Sequence, residues 1–522
     1  MEAVIEKSPA VAVENEKDTG ETVASVSVLA LLTGIPLFMT NKYFNITLSK
    51  FIFFAIVSVL TFVLYYTFRP ENKVKQKNTA NKPMDIAVFG FLASSAVSVL
   101  FSSYKADALL GSSGRCMGLC FVLILTGLYY ALSRSYKIHK KELFGYCTAF
   151  GIVAAIAFLQ FFGINFGGLY TKLNDSTIAA YYSTIGNINV VSSYICLCLP
   201  FIMYLFCTVK GIFRSAGLYI FSFFGFCFMI IVNTDSGYIG MAAAFCAVAY
   251  IVAKNRGQFY RVLLLDGTFL LTPRFVNYIY ESLGGSTKPL SDMAVLLGES
   301  DILIIAAVIL LVASVAIIRV KITRVSSIII RITVVIFALL IVIGISGAII
   351  YFTVFDTNTE LGFLENYLRF SDKWATERGE IWTMTMDSYS GLPFIKKLFG
   401  CGPDTLLLLL SENYNDRMLV TGYVDNAHNE FMNYLVNHGI VGLGFYLAMI
   451  FIALKKCTER AGQSIVHGGL FAVVISYACQ SVVNISQPLT TPFYFIIMFM
   501  CCCDMVGKTD NDNKIPEEIK KL

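Results

Sequence analysis

A histidine lies among amide and carboxylate side chains at a point where a polar stretch of the chain meets a long apolar run. His428 is followed directly by Asn429 and Glu430, and Asp425 lies three residues before it. Imidazole titrates near neutral pH and can therefore accept a proton from a hydroxyl group. We predict that His428 is a general base, with Glu430 as the second candidate catalytic residue and Asn429 as a substrate contact. The alternative is a solvated polar histidine at a membrane surface.

Two arginines are candidate binding residues for an anionic group such as a phosphate. Arg378 is flanked by two glutamates and followed by Trp382, which is a further candidate contact. A guanidinium group presents a planar fork that matches a phosphate through two hydrogen bonds. The alternative is a salt-bridged helix face with an interfacial tryptophan. Arg115 closes the glycine- and serine-rich segment 111–114 and is either a second anion contact or an interfacial anchor.

Two short motifs outside these clusters also combine glycine with polar residues. Asn187 and Asn189 belong to a Gly-Asn-Ile-Asn segment before an apolar run. They can bind sugar hydroxyls or cap the following helix, and capping is the simpler interpretation. The Gly-Cys-Gly-Pro segment at 400–403 predicts a tight turn, because glycine permits positive φ and proline ends the preceding structure.

These polar residues stand out because most of the chain is apolar. Of the 522 residues, 56% are hydrophobic and 14% are charged, whereas a soluble protein has roughly 25% charged residues. Apolar runs recur at the roughly 20-residue length that a helix needs to cross a bilayer, and the alternating pattern of a membrane barrel is absent. We therefore predict an all-α, polytopic helical membrane protein. The 14 cysteines show no disulfide or metal-site spacing, and we predict neither a metal ion nor a cofactor.

About thirteen segments are clear candidates for membrane spans by their length. One further segment, 262–280, is apolar but contains Asp266, Pro273 and Arg274. The clear segments lie near residues 24–40, 50–68, 85–103, 116–133, 144–163, 191–208, 213–232, 237–253, 301–319, 332–352, 432–454, 464–484 and 488–506.

The distribution of lysine and arginine predicts the orientation of these spans. Basic clusters follow the second, fourth, sixth and eighth spans, and basic loops face the cytoplasm in membrane proteins. The next basic cluster, from Arg319 to Arg324, falls on the same side only if segment 262–280 also crosses. We therefore predict about fourteen spans (12–14) with both termini in the cytoplasm. Residues 353–431, called the large loop below, are then extracytoplasmic.

This topology divides the chain into five parts. Residues 1–23 are polar and acidic and are predicted to form a disordered cytoplasmic tail. Residues 24–352 hold the first eleven spans, the large loop follows, residues 432–506 hold the last three spans, and 507–522 form a second cytoplasmic tail. A loop as long as 353–431 is uncommon unless it is functional, so we expect the polar chemistry to lie there.

The order of the motifs in and around the large loop resembles the O-antigen ligase and polysaccharide polymerase superfamily. The resemblance covers roughly residues 180–455 and includes the Gly-Asn-x-Asn segment at 186–189. It implies an integral-membrane glycosyltransferase of the GT-C type, which moves a glycan from an undecaprenyl-diphosphate carrier to an acceptor hydroxyl on the outer face without a metal ion. It also implies that His428 is the catalytic histidine and that Arg378 contacts the diphosphate. The sharpest motifs are Arg378…Trp382, Gly400-Cys401-Gly402, Ala427-His428-Asn429-Glu430 and Gly439-Ile440-Val441-Gly442.

One departure from the family pattern affects the predicted diphosphate site. Many members of the superfamily carry a Ser-Arg-Gly segment at the outer end of a middle span, and the matching place here begins at Asp235 and reads Asp-Ser-Gly-Tyr. The family arginine is therefore missing, and Arg115 or Arg274 is the candidate to replace it. The predicted number of spans also exceeds the dozen that are usual in the family.

These observations together predict a glycosyltransferase of cell-surface polysaccharide biosynthesis in the cytoplasmic membrane. Its predicted partners are the bilayer, the undecaprenyl-diphosphate-linked glycan and an acceptor glycan or lipid, and nucleic acid is not among them. Polymerase and ligase share this chemistry, and both stay open. The alternatives are a multispan transporter, such as a flippase for lipid-linked oligosaccharides, and a non-catalytic scaffold. A flippase needs polar groups around a central cavity, whereas here they concentrate in one loop.

Overall fold

The fold is almost entirely helical, as predicted. One antiparallel hairpin occurs among the described residues, formed by β1 (Tyr181–Tyr182) and β2 (Gly186–Asn187). Most of the predicted N-terminal tail and the predicted C-terminal tail lie outside the described residues, and the first helix begins at Thr19 rather than near residue 24. The computed structural model describes residues 19–68, 81–112, 114–232, 234–253, 256–284, 288–320, 327–421, 424–462 and 464–506.

The helices are numbered in chain order. Those of the first part are α1 (Thr19–Leu37), α2 (Ile46–Phe68), α3 (Lys82–Phe101), α4 (Lys105–Leu110), α5 (Leu119–Ser135), α6 (Lys140–Phe161), α7 (Asp175–Ala179), α8 (Ile188–Thr208), α9 (Ile212–Val232), α10 (Asp235–Val252) and α11 (Phe259–Ser282). The others are α12 (Asp292–Glu299), α13 (Asp301–Val320), α14 (Ser327–Ile350), α15 (Glu365–Leu368), α16 (Trp374–Ser390), α17 (Phe394–Phe399), α18 (Leu406–Thr421), α19 (Glu430–Arg460), α20 (Ile465–Gln480) and α21 (Thr491–Met500). Short 3₁₀ or π turns lie at Lys42–Asn45, Phe166–Gly168, Arg256–Gln258, Tyr351–Phe355, Gly362–Leu364 and Ser481–Val483.

The described helices include most, but not all, of the predicted membrane spans. Eleven helical stretches among the described residues are long and apolar enough to cross a membrane, and α5 and α21 are shorter apolar helices. The chain is therefore a multi-pass membrane protein.

Segment 262–280, the apolar segment that contains charged residues, forms α11. This 24-residue helix continues through Pro273 and packs against α13. Its crossing of the membrane stays a prediction, as does the side on which each terminus lies.

The centre of the bundle is α8. Almost every residue from Val190 to Cys207 is buried, and the helix packs against α9, α10 and α20. By contrast, α14 buries none of its most apolar window and lies on the rim of the bundle. Helix α19 packs against α3 and α20, so the residues at its start are joined to the interior of the bundle.

The large loop is itself folded into helices. Helices α15 to α18 all lie within it. Helices α16 and α18 contribute to a second, smaller hydrophobic core around Met384, Cys401, Leu406 and Leu410. Val436 of α19 belongs to the same core. The loop is therefore a small helical layer attached to the start of α19.

Two glycines of the predicted motifs meet where the large loop joins α19. Gly439 has a φ of 69° and a ψ of −178°, which breaks the helix, and Gly400 has a φ of 90°. A Cβ on Gly400 would lie 2.3 Å from the carbonyl oxygen of Asn437, and one on Gly439 would lie 2.2 Å from that of Leu398. The backbone N–H of Cys401 donates to the Val436 carbonyl oxygen at 2.9 Å. Glycine is thus required on both sides because the two backbones touch.

Candidate active site

The backbone around His428 is held in an unusual conformation. The side chain of Asn429 caps α19, since its Oδ1 accepts the backbone N–H of Met432 at 3.1 Å. The backbone N–H of His428 donates to Oδ1 of Asn426 at 3.1 Å. His428 has a φ of 48°, which is uncommon for any residue other than glycine and is often found at functional sites. The cap and the turn together fix this half-buried histidine at the head of α19.

Arg115 forms an ion pair with Asp425, close to the histidine. Its Nη2 donates to both carboxylate oxygens, at 2.8 Å and 2.7 Å. The arginine side chain is only 11% exposed, and its Nη1 is buried without a hydrogen-bond partner in the described part of the chain. One terminal nitrogen of the guanidinium is thus paired, and the other can still bind an anion.

A strained turn positions Arg378 at the start of the regular part of α16. The three residues before it, Ala375, Thr376 and Glu377, all have positive φ, between 50° and 68°. Gly379 follows, and a Cβ there would lie 1.9 Å from the carbonyl oxygen of Ser371. Strain of this kind persists only where the surrounding structure enforces it, and here it fixes the direction in which Arg378 leaves the helix.

The guanidinium of Arg378 is largely free of protein partners. Its Nη1 donates to the carbonyl oxygen of Ala375 at 3.2 Å, and its buried Nε has no partner within the described ranges. Arg378 forms no ion pair there with either neighbouring glutamate. The salt-bridged helix face that was the alternative interpretation is therefore not present in the structure.

Electrostatics join these groups into one cluster. The pKa of His428 is lowered to about 4, mainly by burial and further by the positive charges of Arg378 and Arg115, while Asp425 acts in the opposite direction. The histidine is therefore neutral at physiological pH and can accept a proton. The four residues His428, Arg378, Arg115 and Asp425 are called the histidine–arginine cluster below.

The position of the missing family arginine also lies beside this cluster. The hydroxyl of Tyr367 donates to Oδ2 of Asp235 at 2.9 Å, and both residues interact electrostatically with Arg378. The segment that lacks the family arginine thus carries an acid, Asp235, beside Arg378. Arg274 donates to the carbonyl oxygen of Gly298 at 3.2 Å and is not among the groups that act on His428.

A comparison with known families bears on this region. Residues 290–447 match the family model described as O-Antigen ligase (Wzy_C). This matched segment is called the O-antigen ligase domain below. The match supports the resemblance to the O-antigen ligase superfamily and a role of glycosyltransferase type in membrane polysaccharide synthesis. A search of curated proteins finds no match to the chain. The O-antigen ligase domain runs from the segment before α12 to the middle of α19 and so contains Arg378 and His428.

Glu430 lies within the O-antigen ligase domain, but its hydrogen bonds lead into the helical bundle. It is fully buried, and its two carboxylate oxygens accept the hydroxyl groups of Tyr446 at 2.8 Å and Tyr477 at 3.2 Å. The residue begins α19, so its side chain points to a face different from that of His428. This arrangement fits a structural contact between α19 and α20.

Trp382 packs beside the strained turn within the O-antigen ligase domain. Its ring packs against Trp374 with centroids 5.2 Å apart, and the indole N–H of Trp374 donates to the carbonyl oxygen of Tyr367 at 3.0 Å. The indole nitrogen of Trp382 is buried and has no hydrogen-bond partner in the described segments. Trp382 therefore braces the turn before Arg378 and keeps one donor unused.

Asn187 and Asn189, at the start of α8, lie outside the O-antigen ligase domain and have a local structural role. Oδ1 of Asn187 accepts the backbone N–H of Asn189 at 2.9 Å, which caps the helix. The carbonyl oxygen of Asn189 accepts Nδ2 of Asn484 at 2.7 Å. Across the residues that the structure describes, no hydrogen bond joins this pair to the histidine–arginine cluster.

Some residues of the site carry no sequence signal that could have revealed their place. Asn426 accepts the backbone N–H of His428, and Tyr367 donates to Asp235 beside the cluster. Neither Asn426 nor Tyr367 belongs to a motif. In the described part of the chain, no group of three or more His, Cys, Asp or Glu is arranged to hold a metal ion.

Proposed function

We propose that this protein transfers or polymerises a glycan from an undecaprenyl-diphosphate carrier onto an acceptor hydroxyl, at the outer face of the cytoplasmic membrane. The reaction needs no metal ion, and both termini lie in the cytoplasm. The observation that carries the proposal is the histidine–arginine cluster. Within it, one neutral imidazole lies beside two buried guanidinium groups, each with an unpaired nitrogen.

The chemistry requires one bond exchange and one proton transfer. The bond between the anomeric carbon and the diphosphate oxygen breaks, and the acceptor oxygen forms the new bond to that carbon. The acceptor proton goes to His428, and the bonding electrons leave with the diphosphate. Arg378 and Arg115 stabilise the charge that develops on the leaving group, which is the kind of electrostatic stabilisation that contributes most in many enzymes.

The arginines also control the strength of the base. In the ligand-free site their positive charges help to depress the pKa of His428 to about 4, so the imidazole is neutral but only weakly basic. A diphosphate bound to the two arginines would offset their charge and raise this pKa toward its ordinary value near 6.5. His428 then becomes a stronger base when the carrier is in place.

The two aspartates of the site have positioning roles in this scheme. Asp425 holds one nitrogen of Arg115 and leaves the other for the ligand. Asp235, with Tyr367, offsets the charge of Arg378, and it belongs to the segment that lacks the family arginine. Arg115 therefore supplies the second cation of the diphosphate site. Glu430, Asn429 and Trp382 support the fold of the site around His428.

A transporter of lipid-linked oligosaccharides is the second candidate. It is supported only by the number of spans, whereas the match to the O-antigen ligase domain and the position of the cluster support transfer.

Deletion of the gene distinguishes glycan transfer from transport by the side of the membrane on which the carrier-linked glycan accumulates. A transferase mutant should accumulate carrier-linked glycan at the outer face of the membrane, where added enzymes can reach it. Accumulation at the cytoplasmic face would contradict transfer and favour transport.

A further inference from the structure

A small cleft lies directly beneath the turn that carries His428. Its polar wall comes from the first two turns of α19 and includes Asn433, Asn437 and His438, and Asn426 bounds it on the side of the turn. These four residues define the amide cleft. Its volume is about 20 Å³, which is enough for one water-sized group. Because Asn426 also accepts the backbone N–H of His428, the cleft adjoins the histidine–arginine cluster.

The side-chain oxygens of two asparagines in the cleft lack hydrogen-bond partners among the described residues. Asn433 is 8% exposed and Asn437 is 2% exposed, and the side-chain oxygen of each is buried without a hydrogen-bond partner in the described ranges. Buried acceptors are normally paired, and an unpaired one reduces stability. The backbone of Asn437 is fixed, because its carbonyl oxygen accepts Ser98 Oγ at 2.8 Å and the N–H of Gly402 at 3.2 Å. The orphaned oxygens are therefore held open toward the cleft.

The lining determines which chemical groups the cleft can take. Its polar atoms include amide oxygens and the carboxylate of Asp404, and none of the described lining residues is lysine or arginine. An anionic phosphate would be repelled, whereas a hydroxyl group can donate to the orphaned oxygens. The lining also includes the rings of Phe91 and Phe121, and the Phe91 ring packs against His438 with centroids 4.9 Å apart. Amide oxygens beside aromatic rings fit one hydroxyl group at the edge of a sugar.

We propose that the amide cleft is a subsite that binds one hydroxyl group of the acceptor sugar. The inference rests on the proposed function and adds to it a recognition site for the acceptor. The acceptor, rather than the donor, is the fitting occupant for two reasons. The acceptor must reach His428, which the cleft adjoins, and the donor sugar carries its diphosphate directly at the reacting carbon, next to a wall that repels anions.

The test uses leucine variants of the two asparagines, because leucine keeps the size of the side chain and removes its polar atoms. Asn433→Leu and Asn437→Leu should melt at the same temperature as the wild type or higher, since the orphaned acceptors are gone. Each should raise the KM for the acceptor in glycan transfer by about tenfold, the equivalent of one net hydrogen bond. Binding of undecaprenyl diphosphate alone, followed by its thermal shift, should not change.

A matched control is Asn81→Leu. Asn81 is also buried, its side-chain oxygen also lacks a partner, and it precedes α3 away from the cleft. This variant should leave the KM for the acceptor unchanged. A subsite for the donor would be shown by weaker binding of undecaprenyl diphosphate or a higher KM for the donor alone, and this result would overturn the proposal.

An ordered structural water is the other occupant that suits the cleft. In that case both leucine variants would lose thermal stability and keep the wild-type KM, which would also overturn the subsite. A wild-type protein without any transfer activity would refute the proposed function and the subsite together. An active wild-type protein with unchanged KM in both variants would refute the subsite alone.

Discussion

Arg115 and Asp425 are joined through a single guanidinium nitrogen, Nη2, which donates to both carboxylate oxygens and leaves Nη1 buried and unpaired. A fork-to-fork pair would use both terminal nitrogens of the arginine. The pairing through Nη2 alone instead keeps a charged donor, Nη1, available beside His428. The ion pair thus holds Arg115 in position without consuming its capacity to bind an anion.

Replacing Arg115 by glutamine should weaken binding of the carrier. The lost hydrogen bond to a charged group is worth roughly 1.5–3 kcal/mol, and undecaprenyl diphosphate binding to the purified protein measures it directly. Asp425→Asn is the matched comparison, because it removes the ion pair and keeps the guanidinium. It should reduce carrier binding less than Arg115→Gln does. Equal carrier affinity of the wild type and Arg115→Gln would exclude Arg115 from the diphosphate site.

The pH dependence of transfer should report the electrostatics of the cluster. A base must be unprotonated, so kcat/KM falls as the pH drops through the pKa of the free enzyme's histidine, which is about 4 for His428. In the wild type, kcat/KM should therefore show no decrease from histidine protonation between about pH 5.5 and 8. Arg115→Gln should move the acid limb upward, since a cation is lost, and Asp425→Asn should move it downward. A wild-type limb near pH 6.5 would contradict the burial of His428 between two cations.

Arg378 should tolerate lysine only in part. Arg378→Ala should weaken use of the carrier by roughly 1.5–3 kcal/mol, and Arg378→Lys should recover a fraction of this, because an ammonium group lacks the planar fork. The strained turn over Ala375, Thr376 and Glu377 fixes where the side chain begins, so a shorter reach is not compensated by backbone movement. Transfer kinetics at varied carrier concentration measure both variants. Full activity of the lysine variant would reduce Arg378 to a general source of positive charge.

The contact between Gly400 and Gly439 should be essential for joining the large loop to α19. Gly439→Ala should destabilise the protein by roughly 1–3 kcal/mol from backbone strain alone, and the Cβ would also meet the Leu398 carbonyl oxygen at 2.2 Å. Gly444→Ala on the same helix is the control, because nothing lies near its Cβ position. It should be neutral or stabilising by up to about 1 kcal/mol. Thermal unfolding in detergent compares the two, and equal melting temperatures would show that the backbones can separate.

Most of the spans could be predicted from the sequence, but the composition of the site could not. The apolar runs predicted the eleven described helices that are long enough to cross a membrane, because the length of a span is set by the bilayer. The predicted spans near residues 116–133 and 488–506 instead form the shorter helices α5 and α21. The role of Asn187 as a helix cap was also readable from its place before an apolar run. By contrast, the approach of Arg115 to Asp425 joins residues 310 positions apart, and no local pattern encodes it.

The motif likewise could not predict the directions of the side chains at the start of α19. His428, Asn429 and Glu430 are consecutive, yet one belongs to the cluster, one caps the helix and one binds Tyr446 and Tyr477 inside the bundle. The left-handed conformation of His428 separates their directions. It follows from the turn with Asn426, which depends on how the large loop packs.

The most direct test of the account is the effect of His428→Ala on glycan transfer in vitro from carrier-linked glycan. His139→Ala is the matched control, since His139 precedes α6 and pairs with Glu21, away from the cluster. The account predicts that His428→Ala lowers turnover by about 10²- to 10⁴-fold, the contribution of a general base, with an unchanged melting temperature and unchanged binding of undecaprenyl diphosphate. The His139→Ala protein should transfer at the wild-type rate. Near-normal turnover of folded His428→Ala would contradict the central claim that this histidine accepts the acceptor's proton.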